Sequence, residues 1–195
     1  RRTASGRTLL PLRNKSLNDI NTILMKKPRP VLRDLAVEIH KNAATQVVVT
    51  SSRAKLTGND VARALASYMQ SDTLTIALIN FSSRAKKLDI DGKRLSVESF
   101  VVVERAGHVS ILRPKGDLAA MELLSQRGFG KNIQSLNSTF DLVFLCADNG
   151  DGLSLLSALE EQNAFHITVA RTKNTKSATL AQMRSLLPIQ GLLYV

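Results

Sequence analysis

The sequence predicts a three-layer αβα domain of the α/β class, with a mostly parallel sheet between two sets of helices. Three observations predict it: apolar, β-branched runs of strand length, amphipathic stretches of helix length, and alternation of the two along the chain. Strands alternating with helices of roughly 10–15 residues imply right-handed crossovers, which lay successive strands parallel.

Residues 1–28 show no sustained period, although Leu17–Met25 could form a short helix. Pro28 and Pro30 punctuate the chain before Leu32–Lys41, where Leu32, Leu35, Ala36 and Ile39 give a helical apolar face. Gln46–Ser51 is a β-branched run of the kind found in buried strands. Val61, Leu65 and Met69, with Ala62 and Ala66, line one side of a helix. Leu74–Asn80 predicts the next strand, and Phe100–Glu104 with Val109–Leu112 predicts a small hairpin turning through Gly107. Leu118–Ser125 reads as helix, Asn132–Leu136 as a second short one, and Asp141–Cys146 as another buried strand. Gly152–Gln162 (helix), His166–Ala170 (strand), Ser177–Leu187 (helix) and Gly191–Val195 (strand) complete the pattern.

Composition bounds the rest. At 195 residues the chain suits one large domain, or one domain and a tail, and its 44% hydrophobic content is ordinary for a folded protein. No apolar run approaches the ~18–20 residues needed to cross a bilayer. No apolar stretch near the start resembles a cleavable signal. Arg1 in first position suggests a piece of a longer chain. The lone Cys146 excludes an internal disulfide and reads as a buried thiol in a reducing compartment. The net charge is +11, yet residues 1–33 supply +8 of it, with nine cations against Asp19. Such a segment reads as a juxtamembrane linker or a nucleic-acid arm, with a solvated linker as the plainest alternative. Residues 1–28 are therefore set apart as a basic linker and 29–195 as the domain. Two Tyr and no Trp leave little for base stacking, which argues against nucleic acid.

The chemistry of such a sheet belongs at the carboxyl ends of its strands, and the loop Thr50–Asp60 after the first strand is the obvious candidate. Here the chain resembles the cytoplasmic domain of bacterial tyrosine kinases fused to exopolysaccharide co-polymerases. These chain-length determinant proteins belong to the deviant-Walker P-loop group that includes MinD and ParA. The resemblance covers about residues 28–195 and rests on the order of motifs. Thr50-Ser51 and Val61-Ala62 flank the loop at the family's distances, but Thr57-Gly58-Asn59, followed by Asp60, stands where Gly-Lys-Thr belongs. A P-loop needs glycine N–H groups and a lysine on the phosphates and a hydroxyl on Mg²⁺. Asn59 or Asp60 is expected to cap the helix instead.

The family's second motif, Asp-x-Asp-x-Arg, reads Asn80-Phe81-Ser82-Ser83-Arg84, with both carboxylates gone. In the third, Phe140-Asp141-Leu142-Val143 is kept, the metal-side carboxylate has become Cys146, and Asp148 is the one substitute, on the same side if the strand continues. The family's oligomerising Glu-x-x-Arg-x-x-Arg helix survives only as an acidic start at Asp34, and its tyrosine-rich tail is reduced to Tyr194.

Losing the lysine, the hydroxyl and three carboxylates together is hard to reconcile with phosphoryl transfer. The resemblance therefore implies a catalytically silent domain, with no cofactor and no metal, that scaffolds or regulates polysaccharide polymerisation and export. It would sit at the cytoplasmic face of a bacterial inner membrane, with residues 1–33 against the anionic leaflet after an upstream transmembrane helix. Its expected partners are the export machinery and further copies of itself. Two alternatives remain: an active ATPase or tyrosine kinase drawing on Lys55 and Asp148, and a ParA-like partitioning protein. Arg53 and Lys55 could still meet an anion at the helix start, and Arg84 could pair with an acidic side chain. His40, His108 and His166 share no metal-ligand spacing. Asp148–Gly152 resembles part of a calcium loop but lacks its later acidic ligands, so it reads as a capped turn.

Overall fold

The computed structural model describes residues 30–52, 57–70, 73–82, 96–97, 100–106, 108–114, 120–125, 128–148, 150–159, 164–170, 177–186 and 188–194. Helix α1 (Pro30–Lys41) leads into strand β1 (Gln46–Ser52), then α2 (Gly58–Met69) and β2 (Ile76–Asn80). The strands β3 (Ser96–Val97), β4 (Phe100–Ala106) and β5 (Val109–Pro114) follow, then the helices α3 (Ala120–Leu124) and α4 (Phe129–Leu136). The chain closes with β6 (Leu142–Asp148), α5 (Gly150–Ala158), β7 (Phe165–Ala170), α6 (Ser177–Leu186) and β8 (Ile189–Tyr194).

These strands form one sheet in the order β3-β4-β5-β2-β6-β1-β7-β8. Six of them, β5 through β8 in that order, run parallel, as the alternation of elements predicts. Only β3 and β4 are antiparallel to their neighbours. The expected hairpin exists, but its second arm, β5, is a full member of the parallel core beside β2. Strand β3 was not legible, since two residues carry no period.

The core lies in two halves, one on each face of the sheet. Leu32, Leu35 and Ile39 of α1 and Val61 and Leu65 of α2 pack against Val47, Val49 and Phe144 on one side. On the other, Leu123 of α3, Ile133 of α4, Leu155 of α5 and Met183 of α6 cover Val48, Val143 and Leu145. The split follows the pleat: successive residues of β1 and β6 point to opposite faces. Because both faces are covered, β1 is buried along its whole length.

Most boundaries agree with the sequence within two or three residues. The largest differences are at α5, which begins at Gly150 and ends at Ala158, and at α4, which begins at Phe129, three residues before Asn132; β6 runs two residues past Cys146. The path of the chain positions the site. The crossover from β1 to β2 passes over β6, whereas that from β6 to β7 passes over β1. The two connections diverge between β1 and β6, and a crevice opens at their carboxyl ends.

Candidate functional site

Ser51 and Asp148 lie opposite each other in the β1–β6 register, at the floor of that crevice. Asp148 is its hub. Ser51 Oγ donates to Asp148 Oδ1 at 2.6 Å, and the Gly58 backbone N–H donates to the same oxygen at 2.7 Å. Ser82 Oγ donates to the other carboxylate oxygen, Oδ2, at 3.0 Å, and the Asp148 N–H returns to Ser82 Oγ at 3.1 Å. Asn80 Oδ1 accepts from the Ser82 N–H at 3.0 Å, folding the end of β2 toward the hub. One carboxylate thus joins β1, β6, the segment after β2 and the first residue of α2. Hydrogen bonds to an ionised acceptor are the strong ones, so this is a firmly held arrangement.

The start of α2 is capped by its own sequence. Thr57 is the N-cap: its Oγ1 accepts from the Asp60 N–H at 3.1 Å, and Asp60 Oδ2 accepts from the Thr57 N–H at 3.0 Å. This corrects the sequence expectation, which placed the cap on Asn59 or Asp60; a hydroxyl N-cap with an acidic residue three positions on is a capping box, and Thr57-x-x-Asp60 has that spacing. Gly58 is required by close approach. A Cβ there would lie 2.7 Å from the Val49 carbonyl oxygen and 3.3 Å from Asp148 Oδ1.

Cys146 is fully buried in the core half that contains α1 and α2. Its Sγ donates to the Ile79 carbonyl at 3.4 Å and lies 3.7 Å from Asn59 Oδ1. Burial pushes the thiol well above its ordinary range, and repulsion from Asp148 and Asp60 adds to this against the opposing pull of Arg63. A thiol held protonated in this way is a packing group rather than a nucleophile. Strand β6 continues to Asp148, so Cys146 and Asp148 do share a face, as the spacing predicted.

On the opposite face of β1 a second polar cluster is buried. Thr50 Oγ1 lies 2.9 Å from His166 Nε2 and 3.2 Å from Thr168 Oγ1, and Thr168 Oγ1 lies 3.0 Å from the same ring nitrogen. A Cβ added at Gly152 of α5 would lie 3.4 Å from the Thr50 side chain. Sequence reasoning missed this cluster and treated His166 only as a non-ligand. Its signal was three polar residues, Thr50, His166 and Thr168, set inside otherwise apolar strands.

The structure therefore brings together Thr57, Gly58, Asn59, Asp60, Asn80, Ser82, Cys146 and Asp148 around the carboxyl ends of β1, β2 and β6. Ser51, which the reading named only as part of a flank, is a direct partner of Asp148. Arg53, Lys55 and Arg84 lie outside the described residues, as does the linker 1–28. Among the described residues no group of three His, Cys, Asp or Glu side chains could hold a metal ion. No helix among them is long and apolar enough to cross a membrane.

A parallel sheet covered on both faces, with the start of α2 beside the end of β6, defines the architecture of doubly wound α/β domains. The solved structures it resembles include bacterial tyrosine kinase domains. Over 88% of this chain and 81% of the other, it matches the BceF tyrosine kinase domain with a TM-score of 0.64 at 13% identity. The kinase domain of VpsO matches over 92% of this chain and 98% of its own, with a TM-score of 0.64 at 14% identity. The kinase domain of the Escherichia coli tyrosine kinase ETK gives 0.63 at 12% identity, over 88% and 78%. No family model and no curated protein matches the sequence. The chain has the fold of these kinase domains.

Proposed function

We propose that this is a non-catalytic domain built on the bacterial tyrosine kinase fold, acting as a scaffold or regulator within an inner-membrane exopolysaccharide co-polymerase. The observation that carries the reading is the position of Asp148. Its carboxylate takes the Gly58 N–H at the start of α2, together with the Ser51 and Ser82 hydroxyls. In a working P-loop, backbone N–H groups at the helix start receive phosphate oxygens. Here one of them already receives an anion that belongs to the chain. Asp60 adds a second negative group in the first turn, and no lysine follows Gly58 to neutralise incoming phosphate. The electrostatics of the seat thus oppose a nucleotide twice over.

Calorimetric titration of the whole chain with ATP in the presence of Mg²⁺ tests this. No binding, or binding weaker than millimolar, is expected. A low-micromolar dissociation constant would represent about 8 kcal/mol and would restore the active-kinase reading through Lys55.

The membrane part of the proposal rests on the nine cations of residues 1–33. Each is worth about 1 kcal/mol near an anionic surface at low salt. Co-sedimentation with anionic vesicles should therefore be strong, should fall on adding salt, and should be lost when Arg1, Arg2, Arg7, Arg13 and Lys15 are changed to Ser. Salt-independent binding, or none, removes the membrane from the proposal.

A further inference from the structure

Strand β8 stands at the end of the sheet: among the described residues it pairs with β7 on one side and with nothing on the other. Such a row of unpaired backbone N–H and C=O groups is a template for a further strand. Helix α1 packs directly on this outermost strand, and a Cβ added at Gly191 would come 2.8 Å from Leu35 Cδ2. A hollow of about 120 Å³ opens beside that contact, between Leu35, Val37 and Glu38 of α1 and Gln190 and Gly191 of β8. Helix and edge thus leave a gap that side chains of a further strand would fill.

The path of the chain selects the occupant. The crossover from β1 to β2 moves toward β3 with α2 on one face of the sheet, and that from β6 to β7 moves toward β8 with α5 on the other. Opposite directions on opposite faces make one hand, as parallel crossovers require. Helix α1 shares the face of α2 and leads into β1. A strand ahead of α1 with the same hand must therefore lie on the β8 side of β1. Strands β7 and β8 already hold the two places there, so that strand falls outside β8.

Residues Ile20–Met25 suit this place. Ile20, Thr22 and Ile23 are β-branched, as strands favour, and the segment equals β8 in length at six residues. Residues 26–29 then join it to Pro30, where α1 begins, a link within the roughly 2–6 residues usual between a strand and a helix. A helix over Leu17–Met25 would be about 13 Å long and marginal in water. A strand on β8 finds backbone partners along its whole length.

We propose that Ile20–Met25 docks on the outer edge of β8 of its own chain as a further strand, parallel to β8 and joined to β1 through α1. Residues 1–19 then leave from the amino end of the sheet, opposite the crevice. This does not depend on the co-polymerase reading, since it concerns an edge of the sheet and not the Asp148 hub.

Nuclear magnetic resonance on the whole chain tests it. Strand chemical shifts over residues 20–25, and nuclear Overhauser contacts from their amides to those of residues 189–194, are expected. Helical or random-coil shifts over residues 20–25 overturn the proposal. So do contacts that arise only between labelled and unlabelled copies in a mixed sample, because the edge is then filled by a second chain. Successive residues of a strand turn their N–H groups to opposite sides, so either Thr22→Pro or Ile23→Pro removes a donor to β8. One of the two should speed hydrogen exchange at the β8 amides by at least about tenfold. Exchange that both proline variants leave unchanged overturns the proposal.

Discussion

Strand β6 has a carboxylate at each end, and the two differ in what surrounds them. At the amino end Asp141 is exposed and binds one residue: Oδ2 accepts from the Thr75 N–H and from Thr75 Oγ1, both at 2.7 Å. The Asp141 N–H donates back to the Thr75 carbonyl at 3.0 Å, so the starts of β2 and β6 are clamped together. At the carboxyl end Asp148 is half-buried and gathers donors from β1, α2 and the segment after β2. The first is a local strand clamp in water. The second lies on the face where α/β sheets bind ligands, and it spends the donors that a ligand would need. A carboxylate at either end of one strand is thus structural, and in the proposed reading only the one at the carboxyl end bears on function.

Cys146→Asp tests the carboxyl end most severely. It restores the metal-side carboxylate that the family resemblance calls for, in a fully buried site already flanked by Asp148 and Asp60. An unpaired buried charge costs about 3–5 kcal/mol, and even a protonated carboxyl without a partner costs about 1–3 kcal/mol. The variant should melt well below the parent and show no ATP hydrolysis. Equal stability would mean that the crevice accommodates a second carboxylate and is closer to a working site than proposed, and ATP turnover would mean that it is one.

Asp148→Ala should have the next largest effect. It strands the Gly58 N–H and the hydroxyls of Ser51 and Ser82, of which Ser51 is 2% exposed and Ser82 7%. Water can reach the half-buried position, so a loss of about 3 kcal/mol is expected in urea unfolding rather than the sum of three charged hydrogen bonds. Asp148→Asn keeps an acceptor for Ser51 and Gly58 and should lose about 1 kcal/mol. If Ala and Asn behave alike, the hub is held by water and not by the carboxylate.

These effects mark how far the sequence could be read. The layers, the parallel sheet and the place of the crevice were legible because β-branched runs and amphipathic stretches are local signals. The spacing from Cys146 to Asp148 was legible too, since side chains two apart on a strand share a face. The three donors converging on Asp148 were not. Ser51, Gly58 and Ser82 come from three elements, and only the strand order sets them side by side. The helix cap was misplaced for a different reason: Thr57 and Asp60 form a reciprocal box at capping-box spacing, but Thr57 also falls in the family's Gly-Lys-Thr register, which leaves Asn59 and Asp60 as the apparent caps. The Thr50–His166–Thr168 cluster was hidden because its members are 2 to 118 residues apart and each, alone, looks like an ordinary strand residue.

Asp141→Asn should have the smallest effect, and its pH dependence separates the two ends of β6. The hydrogen bonds from the Thr75 backbone, then those from its side chain, hold the Asp141 carboxyl below its ordinary range. A carboxyl depressed in the folded state stabilises the fold above its unfolded pKa of about 3.9, and that contribution is lost as the pH falls through the folded value. The parent should therefore be somewhat more stable than Asp141→Asn at neutral pH, and the difference should shrink on acidification from about pH 4 downward. Because the group lies in water, salt should screen part of it. The measurement is a set of urea unfolding curves for both proteins from neutral pH to about pH 2. A difference between them that stays constant to the lowest pH would mean that the asparagine disturbs the β2–β6 clamp by its shape and not by its charge. The clamp would then depend on the Asp141 and Leu142 backbone N–H groups, which donate to the Thr75 carbonyl and which the substitution leaves in place.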